Sequence, residues 1–303
     1  MNILKKIIKL IRNPEIIKRR LADKNIIKMP DEEYIKLLYK IKFGKEPNLK
    51  EPKTFNEKIQ WLKLYDRKDI YTKLADKYAV REYVEEAIGE EYLIPLFGVY
   101  DKWEEIDFNI LPNKFVIKCT HDSGGVYLCK DKETFNIKKA KRFINKKLKR
   151  KYYYIGREWS YKNIKPRIVI EKYMENEDKS ELKDYKFLCF NGVVKCSFVC
   201  SNRYSAGLNV DFFDLEWNKM PFERHYPNSE KIIEKPNNYK KMIDLAEKLS
   251  KGFIFVRIDF YEINNKIYFG EFTFYPGNGL EEFTPEEYDE ILGDWIDISK
   301  NNL

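Results

Sequence analysis

Apolar residues recur at helical spacing through the first hundred residues of the chain. Ile35, Leu38 and Tyr39, then Phe55, Ile59, Leu62 and Tyr65, then Leu74, Tyr78 and Val80 keep the interval of amphipathic helices. Pro30-Asp31 marks one helix start. Thr54-Phe55-Asn56-Glu57 marks another and reads as a capping box, in which Thr54 accepts from the Glu57 N–H and Glu57 reaches back. Residues 91–100 read as strand or extended chain and close this region.

From Lys114 the period shortens to that of strands. Residues 114–119 and 126–130 are predicted strands joined by Thr120-His121-Asp122-Ser123-Gly124-Gly125. A helix-like segment, 138–151, follows with many lysines and no acid. Residues 167–173 and 185–190 are further strands, the second running into an Asn191-Gly192 hairpin turn. A helix over 238–250 precedes a last hairpin, 253–275. The predicted class is α+β with antiparallel hairpins. It divides into a helical N-terminal region (1–110) and α+β subdomains over 111–175 and 176–303.

Three charged residues, Arg257, Asp259 and Glu271, interrupt the aromatic and β-branched run of the last hairpin. Parity puts Arg257 and Asp259 on one face of the first strand, and Glu271 with Thr273 on one face of the second. A two-residue loop at Asn264-Asn265 would send the two sets to opposite faces. A three-residue loop over 263–265, or one bulge, unites them, with Arg257 opposite Glu271 and Asp259 diagonal to it. Two carboxylates and an arginine converging on a sheet suit Mg²⁺ shared with substrate phosphates. A solvent-facing, salt-bridged hairpin has the same residue pattern.

A chain of 303 residues with 35% charged and 16% aromatic residues can bury a sizeable core. Its net charge of +8 favours anionic partners: nucleotide phosphates, an acidic glycan, a lipid surface or nucleic acid. The basic segment 138–151 offers only Phe143 for stacking and no nucleic-acid motif, so no nucleic-acid partner is expected. A solvated helix face, or a patch for an acidic acceptor, accounts for it better. Five cysteines without ligand spacing and two histidines argue against structural zinc and for a reducing cytoplasm. No stretch approaches a membrane span and no signal peptide is visible, so a cytoplasmic location is expected. Residues 1–12 place Ile3, Leu4, Ile7, Ile8 and Ile11 on one helical face beside lysines. Such a helix either lies peripherally on an anionic membrane or docks on its own protein, and docking is favoured.

Candidate chemistry comes in short pieces. Lys118 before Ser123-Gly124-Gly125 offers a point charge and approachable backbone amides for a phosphate. Glu171-Lys172-Tyr173-Met174, at a strand exit, can present backbone groups to an adenine edge and a carboxylate to a ribose. His121 is a lone candidate base, and no Ser/His/Asp or Cys/His constellation forms. Each piece is common alone, but their order is specific. Lys77, Gly89, Ile94-Pro95-Leu96, Lys118 with its glycine loop, Glu171-Lys172-Tyr173-Met174, Lys186, Arg257-Ile258-Asp259, Gly270-Glu271 and Pro276-Gly277-Asn278-Gly279 succeed one another. This succession resembles the ATP-grasp superfamily. Residues 54–63, Glu158-Trp159, 161–166 and Asp184-Tyr185-Lys186-Phe187 resemble its TupA-like branch, similar to the teichuronopeptide biosynthesis protein of bacterial surface-polysaccharide clusters. The resemblance runs from about residue 30 to residue 298.

The resemblance implies an ATP-grasp fold in which two α+β subdomains with antiparallel sheets sandwich ATP, with Mg²⁺ as cofactor. Lys77, Lys118 and Lys186 would contact phosphates, and Ser123, Gly124 and Gly125 would cover them as a lid. Glu171 with the backbone of Lys172 and Met174 would bind adenosine. Asp259 and Glu271 would hold Mg²⁺, and Arg257 would stabilise the reacting centre. Thr273 would be a further metal ligand, a shorter one able to bind through water, where many relatives carry an asparagine, and Asn278 downstream could compensate. The implied activity is ATP-dependent carboxylate–amine ligation through an acylphosphate, on a uronic acid or similar carboxylate of a capsular or other surface-polysaccharide precursor. A glycosyltransferase of the same pathway and a sugar kinase are the alternatives. Arg157, Arg203 and Arg224 lie outside the ATP motifs and are candidate clamps for an acceptor carboxylate.

Overall fold

The structure, a computed structural model, describes residues 14–178, 182–202 and 207–299. The expected helix at 1–12 and Arg203 lie outside these residues. Helix α1 (Pro14–Asp23) packs on α2 (Asp31–Phe43) through Ala22, Tyr34, Ile35 and Leu38. Helix α3 (Phe55–Tyr65) starts on the expected capping box, with Thr54 Oγ1 accepting from the Glu57 N–H at 3.2 Å. Such a cap is worth about 1 kcal/mol. Helices α4 (Ile70–Ala75) and α5 (Val80–Ile88) follow. Strand β1 (Leu96–Tyr100) is shorter than the predicted 91–100. A 3₁₀ turn occupies Glu90–Tyr92, and Pro95 has no N–H with which to extend the ladder.

Two antiparallel sheets organise the rest. The first has the order β1-β4-β2-β3, with β2 (Phe115–Cys119), β3 (Val126–Cys129) and β4 (Ile168–Lys172). Alternation gives it two unlike faces. Phe115, Ile117, Cys119, Ile168 and Ile170 form a core with Ala140 and Ile144 of helix α6 (Ile137–Leu148). Val116, Lys118, Val126, Leu128 and Glu171 face the other way and line a cavity.

The second sheet has the order β10-β9-β5-β6-β7, from β5 (Asp184–Phe190), β6 (Val193–Ser201), β7 (Asn209–Phe213), β9 (Phe255–Ile263) and β10 (Lys266–Thr273). Its core is rich in phenylalanine and joins helix α7 (Tyr239–Ser250) to Phe55, Ile59, Tyr71, Leu74 and Val84 of α3 to α5. A short ribbon, β8 (Glu223–Arg224) with β11 (Phe283–Thr284), and helix α8 (Glu287–Asp294) close this end. Residues 14–110 are therefore not a layer of their own. Helices α3 to α5 belong to the second core, whereas β1 and Trp103, Ile106 and Leu111 belong to the first sheet and its core.

Helix α3 explains the polar letters of the 54–63 phrase. Asn56 donates to the Glu281 carbonyl at 2.9 Å and to Asp289 at 3.0 Å. Gln60 donates to the carbonyls of Asn278 and Gly279 at 2.9 and 2.7 Å, and Lys63 to the Asn278 carbonyl at 2.8 Å. These buried side chains bind the C-terminal segment to the start of the domain, because its carbonyls have no ladder to join.

The last hairpin differs in register from expectation. Asn264 and Asn265 both take left-handed φ, so the loop keeps two residues, and Lys266 pairs with Ile263. The odd residue is absorbed by a bulge at Gly270. Glu271 therefore pairs with Asp259, and Thr273 with Arg257, in place of the expected Arg257–Glu271 pair. Glycine is required there by close approach, since an added Cβ would stand 3.0 Å from the Asp259 carbonyl oxygen. One bulge thus unites the charged residues on one face, as parity demanded.

Candidate active site

The charged row lies on the second sheet. Lys186 on β5 pairs with Asp259 on β9, which pairs in turn with Glu271 on β10. Arg257, two residues before Asp259, shares its face. Its Nε and Nη2 donate to the two Asp259 oxygens, each at 2.7 Å, and Nη2 also donates to Glu271 Oε1 at 2.8 Å. Lys186 donates to Asp259 Oδ2 and pairs with Asp184 at 2.7 Å. Thr273 Oγ1 donates to Glu271 Oε1 at 3.2 Å. Burial opposes ionisation of Asp259, but the Arg257 and Lys186 charges prevail and hold its carboxyl below the usual range. Burial likewise opposes the Lys186 charge, and Asp184 and Asp259 prevail to raise its pKa.

Across from this row stands the first sheet, and a cavity of about 980 Å³ separates the two. Lys118 on β2 donates to Glu171 Oε2 on β4 at 2.6 Å, and Arg81 approaches the other Glu171 oxygen at 3.8 Å. Lys77, in the link between α4 and α5, closes one end and donates to the Asp122 carbonyl at 2.9 Å. Burial lowers the Lys77 pKa, against the pull of Glu171's counterpart across the cavity, Glu271. Val116, Val126, Leu128, Met174 and Phe269 supply apolar wall, and Lys77, Lys118 and Lys186 supply positive charge. Apolar wall combined with many charged groups suits a charged small molecule.

Most residues singled out in the sequence come together here. Lys77, Lys118, Glu171, Lys172, Met174, Lys186, Asp259 and Glu271 all line the cavity. Arg257 and Thr273 stand off its lining, behind the carboxylates they touch. Ser123, Gly124 and Gly125 form the β2–β3 turn beside Lys77, also off the lining, with Ser123 and Gly124 exposed. The Lys172 N–H donates to the Pro95 carbonyl at 2.9 Å, and residues 172–175 line the cavity. Glu171 is held by Lys118 and Arg81.

Several expectations are corrected. Arg157 is buried under the rings of Tyr34 and Tyr154, with Asp31 at 3.2 Å and the Tyr154 carbonyl at 2.8 Å, so it is a packing residue and no acceptor clamp. Arg224 is likewise buried, between Phe55 and Phe283, and bonds the Pro276 carbonyl and Glu281. Asn278 gives its Oδ1 and carbonyl to Lys63 and does not join the carboxylate pair. His121 is buried, which lowers its pKa, and its Nε2 lies 3.1 Å from the Arg150 carbonyl. Arg81 and Asp184 were missed as cavity residues. Asp184 was legible, because alternation puts it on the face of Lys186, whereas Arg81 reaches Glu171 only through tertiary packing.

The donor set fits Mg²⁺ of the phosphate-sharing kind. Asp259 and Glu271 face each other as directly paired residues, all their donors are oxygens, and the neighbouring cavity wall is cationic. Among the described residues no group of three or more acidic, histidine or cysteine side chains forms a self-sufficient metal cage. Mg²⁺ held together with substrate phosphates needs one or two carboxylates and takes the rest of its shell from phosphates and water. Both contacts to Glu271 fall on Oε1, and the Arg257 and Lys186 charges occupy Asp259. All five cysteines are buried and free, and no helix among the described residues is long and apolar enough to cross a membrane.

No curated protein matches the chain. Among solved structures it is similar to D-alanine–D-alanine ligase from Bacillus anthracis complexed with ATP, at 16% identity over 76% of this chain and 65% of that one, with TM-score 0.43. It is also similar to an ADP complex of N5-carboxyaminoimidazole ribonucleotide synthetase, at 14% identity over 74% and 52%, with TM-score 0.45. A third is N5-carboxyaminoimidazole synthetase from Staphylococcus aureus, at 15% identity over 66% and 44%, with TM-score 0.40. The chain thus spans 44% to 65% of the length of these three proteins. A family model described as TupA-like ATP-grasp matches residues 57–297, most of the chain. The chain therefore belongs to the TupA-like ATP-grasp family, with an α+β fold of two antiparallel sheets facing one cavity.

Proposed function

We propose that this protein is an ATP-dependent carboxylate–amine ligase that joins an amine or amino acid to a uronic acid or similar carboxylate of a surface-polysaccharide precursor. The observation that supports it most is the row Lys186–Asp259–Glu271 facing Lys118 across a cavity of nucleotide size. Lys77, Lys118 and Lys186 would bind the phosphates, the apolar wall around Met174 would take the adenine, and the Ser123–Gly125 turn would cover the triphosphate. Asp259 and Glu271 would hold Mg²⁺, with Thr273 orienting Glu271 rather than serving as a ligand. Bound there, Mg²⁺ would neutralise phosphate charge during transfer.

The acceptor carboxylate attacks the γ-phosphorus, giving an acylphosphate and ADP. The amine then attacks the acyl carbon, phosphate departs, and the amine's proton is lost to water or buffer. Arg257, bonded to both Asp259 and Glu271, would hold the two carboxylates in place and add positive charge beside the reacting centre. Positioning and electrostatics carry most of such a reaction, which suits a site without a nucleophile–base pair. The deciding measurement is ADP release with Mg²⁺-ATP across amines and uronic-acid nucleotides, with mass spectrometry of products. An amide plus free phosphate is expected. A stable phosphoester would mean a kinase, and consumption of a nucleotide sugar without ATP would mean a glycosyltransferase.

A further inference from the structure

The basic segment after the glycine turn has no part in the cavity wall, yet its end reaches the turn. Asp122, at the base of that turn, has no solvent exposure. Its Oδ1 accepts from Arg150 Nη1 at 3.0 Å, and its Oδ2 lies 3.2 Å from Lys147 Nζ. Lys147 is in the last turn of α6, and Arg150 follows two residues after the helix ends. Arg150 also donates to the Ser123 carbonyl at 3.4 Å, and its guanidinium lies over the Tyr152 ring at 5.0 Å.

The same aspartate touches the phosphate side. Its carbonyl accepts from Lys77 Nζ, and the Lys77 N–H donates to the neighbouring Thr120 carbonyl at 3.3 Å. The carboxylate folds beneath the turn, so that a Cβ on Gly125 would stand 3.2 Å from Asp122 Oδ2. A Cβ on Gly124, whose φ is +75°, would lie 3.8 Å from Lys147 Nζ. Two cations therefore hold one buried carboxylate while a third, Lys77, holds the same residue's backbone carbonyl, and the two on the carboxylate come from a segment that plain hairpin closure does not need. A buried carboxylate is costly unless paired. Pairing it with α6 fixes the turn's height over the sheet and the direction of the Lys77 ammonium together.

We propose that Asp122 is a positioning residue, clamped by Lys147 and Arg150, that sets the glycine turn and Lys77 for the nucleotide phosphates. This rests on the nucleotide reading of the cavity. Charged hydrogen bonds of this kind are strong enough that Arg150→Met or Asp122→Asn should raise the KM for ATP by about tenfold. The acceptor KM should stay unchanged, and the thermal shift induced by Mg²⁺-ATP should shrink. Arg150→Lys, which keeps the charge, should recover most of the effect. Lys146→Met, at an exposed neighbour on the same helix, should stay within about twofold of the parent protein, as surface charges usually do. If Asp122→Asn does not fold, Arg150→Met still decides. Equal losses of melting temperature with and without Mg²⁺-ATP, at unchanged ATP KM, would show a merely structural stitch and overturn the proposal. A parent protein that neither binds Mg²⁺-ATP nor releases ADP would overturn the nucleotide reading and this proposal with it. A normal parent with unaffected variants overturns this proposal alone.

Discussion

The two sheets hold their charges in opposite ways. On the second sheet Asp184, Lys186, Asp259, Arg257 and Glu271 form a continuous network over an aromatic core, with Asp259 almost fully buried. On the first sheet Lys118 pairs with Glu171, which Arg81 also approaches, and the glycine turn exposes Ser123 and Gly124. A metal would require carboxylates fixed to a fraction of an ångström, and directly paired residues on β9 and the edge strand β10 would provide that. A cover over a triphosphate would have to admit it, and an exposed glycine turn at a sheet edge would suit that role. On the proposed reading, the rigid half would place the chemistry and the lighter half would admit the nucleotide.

Changes on the rigid half should be the most damaging. Asp259→Asn leaves Arg257 and Lys186 buried without their shared partner, and should cost about 3–5 kcal/mol of stability as well as ATP-dependent activity. Chemical unfolding and ADP release measure the two losses. Gly270→Ala probes the bulge. Its Cβ would press on the Asp259 carbonyl and should cost about 1–3 kcal/mol, with loss of the Mg²⁺-ATP thermal shift. Glu271→Gln separates function from folding. Because its side chain is 45% exposed, stability should change by less than about 1 kcal/mol while ADP release collapses. If Glu271→Gln keeps full activity, the contrast between the sheets loses its metal explanation.

Smaller effects belong to the lighter half. Lys118→Met should raise the ATP KM by about tenfold and leave the fold intact, since its ion pair with Glu171 is partly solvated. The pH profile sharpens the same point. The Lys77 pKa is lowered by burial, and only its ammonium form binds phosphate, so ATP affinity should weaken with rising pH before an ordinary lysine titrates. Lys77→Arg should shift that loss to higher pH.

Much of this was legible beforehand because it follows from local periods. Alternation along β2 and β9 separates Lys118, Arg257 and Asp259 from the apolar positions between them, and the Thr54/Glu57 cap fixes where α3 begins. Two-residue asparagine loops also announce themselves. The register did not, because either a longer loop or a bulge satisfies parity, and only the approach of Asp259 to Gly270 decides between them. Arg157 and Arg224 looked available as clamps because charge and position say nothing of burial. Both are enclosed by aromatic rings from distant segments.

The sequence by itself determined the strand faces, the helix caps, the order of the site residues and, through that order, the family. These depend on neighbours within a few positions, where backbone geometry dictates spacing. The tertiary structure alone decided which charges meet. Gln60 and Lys63 find Asn278 more than two hundred residues away, Arg81 finds Glu171, and Asp122 finds Lys147 and Arg150. A buried polar group must be paired, but the chain does not say with whom until packing has brought the partners together.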